Sequence, residues 1–425
     1  MKVVLFEDEH ASNLYPLVFL RPVFDLRCGI FTLKEKVEKK FPDCELYLET
    51  RDELDGVTAE THGPRMVNSH KAVHADEDIL LVNAGAILTG DPADYSRSER
   101  VGVDEEGNFI WAFLTRETVE RLDSPASIGL AQQAAQELPA ENVDDILIRY
   151  PWDLIVHNPD QVTSDYQACY TSGRESEPMP GAKMIGDSSN LYVGEDVELQ
   201  PFTLIDCREG PVIIEDGVTV HAHTSIEGPT FIGRETQLFE AKIREGCSIG
   251  PVCRVGGEVE ESIMHAYSNK YHTGFLGHAY VCEWVNLGAL TTNSDLKNDY
   301  STVKLRLHGG RQMDSGSMKV GSFIGDHTKT SIGTLLNTGS VVGIMCNLVA
   351  GSSVLPKRIP SFCWYLQDRV SKGLGLKYAL KTARAAMGRR DRELTEAMVE
   401  LIERCQEISR EEKMKLVKRD RRKMR

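Results

Sequence analysis

The sequence predicts three parts in order: an α/β domain, a parallel β-helix built on a six-residue repeat, and a helical C-terminal tail. Two patterns carry this reading. Short apolar runs alternate with helical stretches near the N-terminus, and aliphatic residues recur at every sixth position through the middle of the chain. Composition agrees: among 425 residues there are 35 glycines and only 7% aromatics, a balance that favours many turns over a few large packed helices. With 41% hydrophobic residues the chain is long and apolar enough for two or three domains, which excludes a disordered polymer or a small disulfide scaffold.

Residues 1–158 are read as the α/β domain. Val3–Phe6 and Ile79–Val82 have the length and composition of buried strands, and Thr32–Phe41 and Glu117–Leu122 read as helices. Strands alternating with helices predict a mostly parallel sheet. A polar stretch containing Ser172-Gly173-Arg174-Glu175-Ser176-Glu177-Pro178 marks 159–182 as a linker.

The repeat occupies 183–358. Val193, Leu199 and Ile205 start the series, and Ile214, Val220, Ile226, Ile232 and Leu238 continue it. After a one-residue slip come Ile243, Ile249 and Val255; later Ile324, Thr330, Leu336, Val342, Leu348 and Val354 resume, with Thr330 the only polar member. A period of six fits neither the 3.6 of a helix nor the 2 of a simple strand. One short strand plus one turn per unit, three units to a coil, stacks each aliphatic residue on its equivalent in the next coil. Small or acidic residues follow several of these positions, as in Ile232-Gly233 and Ile249-Gly250, and are expected to supply the corner geometry. The pattern resembles the left-handed parallel β-helix of the hexapeptide acyltransferase superfamily. The series breaks between Gly256 and Phe323, and insertions in a solenoid commonly carry its function.

Residues 359–425 form the tail, with Tyr378–Ala386 and Arg392–Lys418 as helical windows and Leu394, Met398, Leu401 and Cys405 as one apolar stripe. Its end is basic: from Lys413 to Arg425 there are eight Lys/Arg against Asp420. That surplus of seven leaves −22 on the rest of a chain whose total is −15. So acidic a body repels phosphate backbones, which argues against a nucleic-acid partner and for a small-molecule enzyme, with the basic end solvated. The N-terminus turns acidic after four apolar residues, too few for a secretory signal, and no apolar run is long enough to span a bilayer. Ten cysteines stand singly, with no C-x-x-C pair, as in a reduced cytoplasmic protein.

The densest polar cluster lies in the break, from Tyr267 to His278 and on through Glu283–Ala289 to Tyr300. Acyl transfer from a thioester needs a base to take a proton from the attacking amine or hydroxyl, and a histidine is suited to it. His272 is the candidate, with amides nearby to orient the acceptor and stabilise an oxyanion. His272, Phe275-Leu276-Gly277, Val285-Asn286-Leu287-Gly288-Ala289 and Thr291 together resemble the active-site stretch of the bifunctional UDP-N-acetylglucosamine pyrophosphorylase/glucosamine-1-phosphate acetyltransferase family. The resemblance implies His272 as general base and Asn286 as a sugar ligand. Aligned without a gap, Ser294-Asp295-Leu296 stands where that family has Cys-Asn-Tyr, and a one- or two-residue shift would let Asn293 serve as the asparagine. The family's phosphate-contacting lysine has no counterpart between Ile249 and Asn269, where Glu260 lies instead; Arg254 and Lys270 are the cations that could replace it.

Leu14-Tyr15-Pro16-Leu17 followed by Arg21-Pro22 resembles the opening of the sugar-1-phosphate nucleotidyltransferases, although Glu7–Asn13 contains no glycine where that group has a glycine-rich phosphate loop. Asn83 stands where such enzymes carry a metal-binding aspartate. The implied roles are Arg21 on phosphate and Asp8 on Mg²⁺. Together the two resemblances imply a nucleotidyltransferase-like domain joined to an acyltransferase β-helix. They further imply acetyl-CoA or another acyl-CoA as co-substrate, an amino sugar phosphate or nucleotide sugar as partner, and a homotrimer with acyl-CoA clefts between subunits. Two alternatives stay open at this point. The β-helix could be an oligomerisation scaffold for a nucleotidyltransferase alone, or the chain could be a non-catalytic regulator that binds nucleotide sugar.

Overall fold

A computed structural model describes residues 1–64, 66–68, 77–122, 124, 126–170, 181–351 and 353–422. Within them the chain forms two units: Met1–Leu14 with Leu20–Leu26 and Phe31–Tyr150, and Tyr15–Phe19 with Arg27–Ile30 and Pro151–Arg425.

The first unit is an α/β domain. Its apolar N-terminal run forms β1 (Lys2–Phe6), which pairs in parallel with β2 (Glu45–Glu49) and β3 (Ile79–Asn83). Beyond β3 the six-stranded sheet continues through Phe109–Leu114, Arg100–Val103 and Ala140–Asn142. Two of these later pairings are antiparallel and the other three pairings of the sheet are parallel, so the sheet is mostly parallel with an antiparallel strand inserted. Every residue of β3 is buried, as expected for a central strand covered on both faces. Helix Leu33–Lys40 begins with a capping box: Glu35 N donates to Thr32 Oγ1, and the Glu35 carboxylate accepts from Thr32 N.

In the second unit, helix Pro151–Cys169 runs through the point where the sequence reading starts a linker. Leu154, Ile155, Val162 and Tyr166 fall at helical spacing and are buried, so the apolar stripe carries the helix past residue 158. The Ser172–Pro178 stretch lies outside the described residues.

The β-helix follows. Nine short parallel strands stack on one face, from Leu191–Val193 through Ile263–Met264 and Tyr280–Val281 to Arg358–Ile359, each opening one coil. The predicted aliphatic residues line the interior, and Ile214, Val220, Ile226, Ile232, Leu238, Ile243, Ile249 and Val255 are all fully buried. Three details differ from the sequence reading. The coils do not stop at Gly256: Val259, Met264, Leu276, Val281 and Leu287 continue the interior columns. The true excursion is shorter, a neck at Asp295–Val320 carrying the antiparallel hairpin Lys304–Arg306/Gln312–Asp314. Val354 is 47% exposed and Leu355, at 2%, takes its place inside, because the chain slips by one residue after Leu348.

Glycine and acidic residues take some left-handed corners, as predicted, among them Gly217, Gly246, Asp196 and Glu235, but the glycine of Ile249-Gly250 serves another purpose. Gly250 is not in the left-handed region; a Cβ there would lie 1.8 Å from the His265 carbonyl oxygen of the next coil. Close approach of successive coils therefore excludes a side chain. Other left-handed corners are occupied by larger residues, among them Val252, Tyr267, Trp284 and Phe362 with φ between 52° and 59°. Stacking stabilises this column, since the Tyr267 and Trp284 rings lie 4.5 Å apart at 10°.

The tail forms three helices, Leu376–Gly388, Glu396–Ile408 and Arg410–Arg422. The predicted Arg392–Lys418 window is thus broken at Ser409. The basic end is packed as well as solvated: Val417 joins the β-helix core, Lys413 Nζ donates to Phe362 O at 2.6 Å, and Asp420 accepts from Val370 N.

Candidate functional site

The two units each hold a candidate site. In the first, β1 and β3 end side by side, and their carboxyl ends open onto a pocket of about 260 Å³. Asp8 lies in its lining with Asn83, His10, Asn108 and Arg149. Asn83 Nδ2 donates to Asp8 Oδ2 at 2.8 Å, and His10 N donates to Asp8 Oδ1 at 2.9 Å. Glu7, in the same acidic run, is spent internally. Its side chain is 1% exposed and accepts from Val23 N, Thr50 Oγ1, Arg51 N and Arg51 Nε at 2.7–3.1 Å. Sequence reading missed this anchor, because a run of acidic residues does not disclose which one turns inward. Arg21 is buried and does not line the pocket; its carbonyl accepts from Arg51 Nη2. A hard divalent cation takes oxygen ligands and needs only one or two protein carboxylates when substrate phosphates complete its shell. Asp8 fits that role, and no pre-built metal cage is needed.

In the second unit, one outward column of the β-helix is polar. Arg254 stands in register with Asn269, Asn269 with Asn286, and Asn286 with Lys329. Asn269 Nδ2 donates to Asn286 Oδ1 at 3.3 Å, and Arg390 Nη2 donates to Asn269 Oδ1 at 3.3 Å. Arg390 reaches this column from the loop between the first two tail helices, so sequence proximity could not have revealed it. Burial lowers the Arg254 pKa and the neighbouring Arg390 charge lowers it further, which records two cations crowded over one polar surface. His272 is exposed and lies three residues past Asn269 in the chain, between the strands Asn269–Lys270 and Phe275–Gly277. It ends a ladder of rings: His221 to Phe239 at 4.4 Å, Phe239 to Tyr271 at 4.0 Å and Tyr271 to His272 at 4.8 Å.

Lys270 and Asn293 are placed differently from the outward residues. Both occupy interior positions of the coil, where the repeat elsewhere has aliphatic side chains. Lys270 Nζ donates to the carbonyls of Gly256 and Gly274 at 2.6 Å and of His272 at 3.3 Å. Burial lowers its pKa to about 8. Asn293 accepts from Gly277 N at 2.9 Å and donates to Gly277 O at 2.8 Å. Their polar atoms are committed to backbone. Thus Asn286 and Arg254 belong to one outward column, whereas Lys270 holds the backbone of the exposed His272 and Asn293 stacks on the Phe275–Gly277 side of the coil.

Residues 3–175 match the family model described as sugar nucleotidyl transferase. A bifunctional sugar-1-phosphate nucleotidylyltransferase/acetyltransferase of Sulfurisphaera tokodaii is 32% identical over 157 residues, covering 34% of this chain and 37% of that protein. The bifunctional protein GlmU of Nitrosospira multiformis is 25% identical over 178 residues, 36% of this chain and 39% of the relative. That of Synechococcus elongatus is 27% identical over 169 residues, 39% and 32%. The chain resembles GlmU. It spans about two fifths or less of the length of these GlmU-type relatives. Among solved structures, an Arabidopsis UDP-N-acetylglucosamine acyltransferase aligns with 50% of this chain and 79% of that one at 12% identity and a TM-score of 0.27. The sugar nucleotidyl transferase match ends at residue 175, ahead of the strands of the β-helix.

Proposed function

We propose that the protein is a transferase of nucleotide-sugar metabolism whose β-helix moves an acyl group from acyl-CoA to an amino sugar phosphate or nucleotide sugar. The supporting observations are the polar Arg254–Asn269–Asn286 column, with Arg390 hydrogen-bonded to Asn269, and the exposed His272 three residues past Asn269 in the chain. In this reading His272 takes a proton from the acceptor amine as its nitrogen attacks the thioester carbonyl carbon. A C–N bond forms, the C–S bond breaks, and the departing thiolate receives the proton. Asn286 orients the sugar, Arg254 and Arg390 face its phosphate, and Lys270 is a positioning residue that holds the His272 backbone. Acetyl-CoA is the co-substrate the GlmU-like relatives favour, and the trimer expected of the fold would form the acyl-CoA cleft. Ten free thiols fit a reducing compartment such as the cytoplasm, and no described helix is long and apolar enough to cross a membrane.

For the first unit the proposal is a sugar-nucleotide site at the Asp8–Asn83 pocket. Asp8 would hold a Mg²⁺ ion whose charge offsets that of the phosphates during nucleotidyl transfer. A second reading, binding without transfer, is favoured there by Glu7, whose buried carboxylate replaces the glycine backbone such a phosphate loop would use.

The test is thiol release from acetyl-CoA with glucosamine-1-phosphate, and pyrophosphate release from UTP with N-acetylglucosamine-1-phosphate. His272→Ala should lower thiol release by about 10²-fold or more with an unchanged melting temperature, since the side chain is exposed. Unchanged thiol release would remove His272 as the base. Absence of pyrophosphate release together with a melting temperature raised by UDP-sugar would favour the binding-only reading of the first unit.

A further inference from the structure

We propose that the β-helix unit carries a second ligand site, a pocket for a phosphate-bearing small molecule at the end of the solenoid. Three segments wall it: the Lys304–Arg306/Gln312–Asp314 hairpin of the excursion, Lys357–Arg358 of the last coil, and the basic helix Arg410–Arg422. Its volume is about 630 Å³, within the range of small-molecule sites.

Charge sets this pocket apart. In a chain of net −15, its lining gathers Lys304, Arg306, Lys357, Arg358, Lys415 and Arg419 against only Glu411 and Glu412. Both carboxylates are already engaged. Glu412 accepts from Arg358 Nε and Nη2 at 2.8 and 2.7 Å and lies 3.2 Å from His308 Nδ1, while Glu411 pairs with Lys415 at 2.6 Å. Among the described residues, Arg306 and Lys357 have no ion-pair partner. Lys357 is pressed toward its neutral form by burial and then by the nearby Lys297. Arg358, 94% buried by its 6% exposure, leaves Nη1 without a hydrogen-bond partner among the described residues. Concentrating cations in this way costs free energy that a bound anion would recover.

The chemistry points to phosphoryl oxygens. Arginine forks and lysine charges together suit a multiply charged tetrahedral anion. Among the described residues, no aromatic ring but the His308 imidazole lines the pocket, so recognition does not depend on stacking a base. The half-buried Ile408 and Leu416 offer apolar surface to an organic body. His308 is held in place by edge contacts to Tyr15 and Phe19 at 5.1 and 5.7 Å. This pocket is built from residues other than those of the proposed acyl-transfer face, and the inference stands independently of that reading.

The experiment is isothermal titration calorimetry of the full chain with inorganic pyrophosphate, compared with adenosine diphosphate, glucosamine-1-phosphate and citrate. The Arg306→Gln/Lys357→Gln double variant should weaken pyrophosphate binding by about tenfold or more without lowering the melting temperature. Lys415→Gln on the opposite wall should weaken it in the same direction, and Arg404→Gln, outside the pocket lining, should leave it unchanged. Tighter binding of either organic phosphate than of pyrophosphate would support a metabolite as the occupant; the reverse order would support the inorganic ion. Absence of binding at millimolar pyrophosphate, equal affinity in wild type and double variant, or citrate binding as tightly as pyrophosphate would each overturn the proposal.

Discussion

His278 offers a stability test whose sign and size follow from its surroundings. The imidazole is 6% exposed, with Nδ1 2.9 Å from Asp295 Oδ2 and Nε2 3.2 Å from Glu261 Oε2. Burial by itself would lower its pKa, but the hydrogen bonds and charges of Asp295 and Glu261 outweigh that and lift it to about 9. Lys319 also faces this cluster and donates to Glu260 Oε1 at 3.2 Å. The group closes the neck of the excursion, where Val320 N donates to Asp295 O. Taking an unfolded value of about 6.5, a rise of about 2.5 units corresponds to about 3 kcal/mol. Because the folded pKa is raised, this contribution is fully present below about pH 6.5 and is lost as pH rises through about 9. Lys270 and Lys329 oppose it over an overlapping range, since burial lowers both to about 8 and their folded forms shed protons first. The informative quantity is therefore the difference between wild type and His278→Gln, in which the lysine contributions cancel. Urea unfolding should show the variant about 3 kcal/mol less stable at pH 6.5, with most of the gap gone by about pH 10. A gap of equal size at both pH values would show that charge on His278 is not what binds the neck, and would refute the reasoning.

The other predictions concern side chains the fold turns inward. Lys270→Met keeps the column filled but leaves the Gly256 and Gly274 carbonyls without their donor, which should cost about 1–3 kcal/mol; a melting curve reads it, and a raised KM at constant melting temperature would return Lys270 to direct substrate contact. Asn293→Leu restores an aliphatic column position but loses both bonds to Gly277, a cost of about 1–2 kcal/mol with KM for the acceptor unchanged. Glu7→Gln removes the charge facing Arg51 and should destabilise the α/β unit by about 2–3 kcal/mol in thermal unfolding. An unchanged melting point, with tighter nucleotide-sugar binding, would mean that Glu7 blocks the pocket rather than braces it.

The six-residue period was legible because it is a local property: each inward residue sits a constant number of positions from the next, whatever its coil neighbours are. That regularity located the columns from Ile214 to Val255 and again from Ile324 to Leu348. It also made Lys270 and Asn293 look like breaks in the pattern, when they are polar members of it. A lysine six residues after Met264 reads as chemistry until three carbonyls are found around its ammonium. The motif around His272 and Asn286 was equally plain in one dimension, as was the polar character of the segment that holds them, although Ser268, Lys270 and His278 within it are buried.

Neighbour relations across coils were not legible. The glycine of Ile249-Gly250 reads as a turn residue, yet the coil above it demands it, and some left-handed corners go to Tyr267 and Trp284, which stack on each other. Arg390 meets Asn269 across 121 positions and Arg358 meets Glu412 across 54. Thus the chain's own order specifies the α/β domain, the β-helix and the segment that carries His272, through periodicity and motif spacing. Which acidic residue is buried, which lysine is structural, and where the basic tail gathers its charge depend on distances between remote segments. Close packing and charge pairing act through space, and only the folded chain sets those distances.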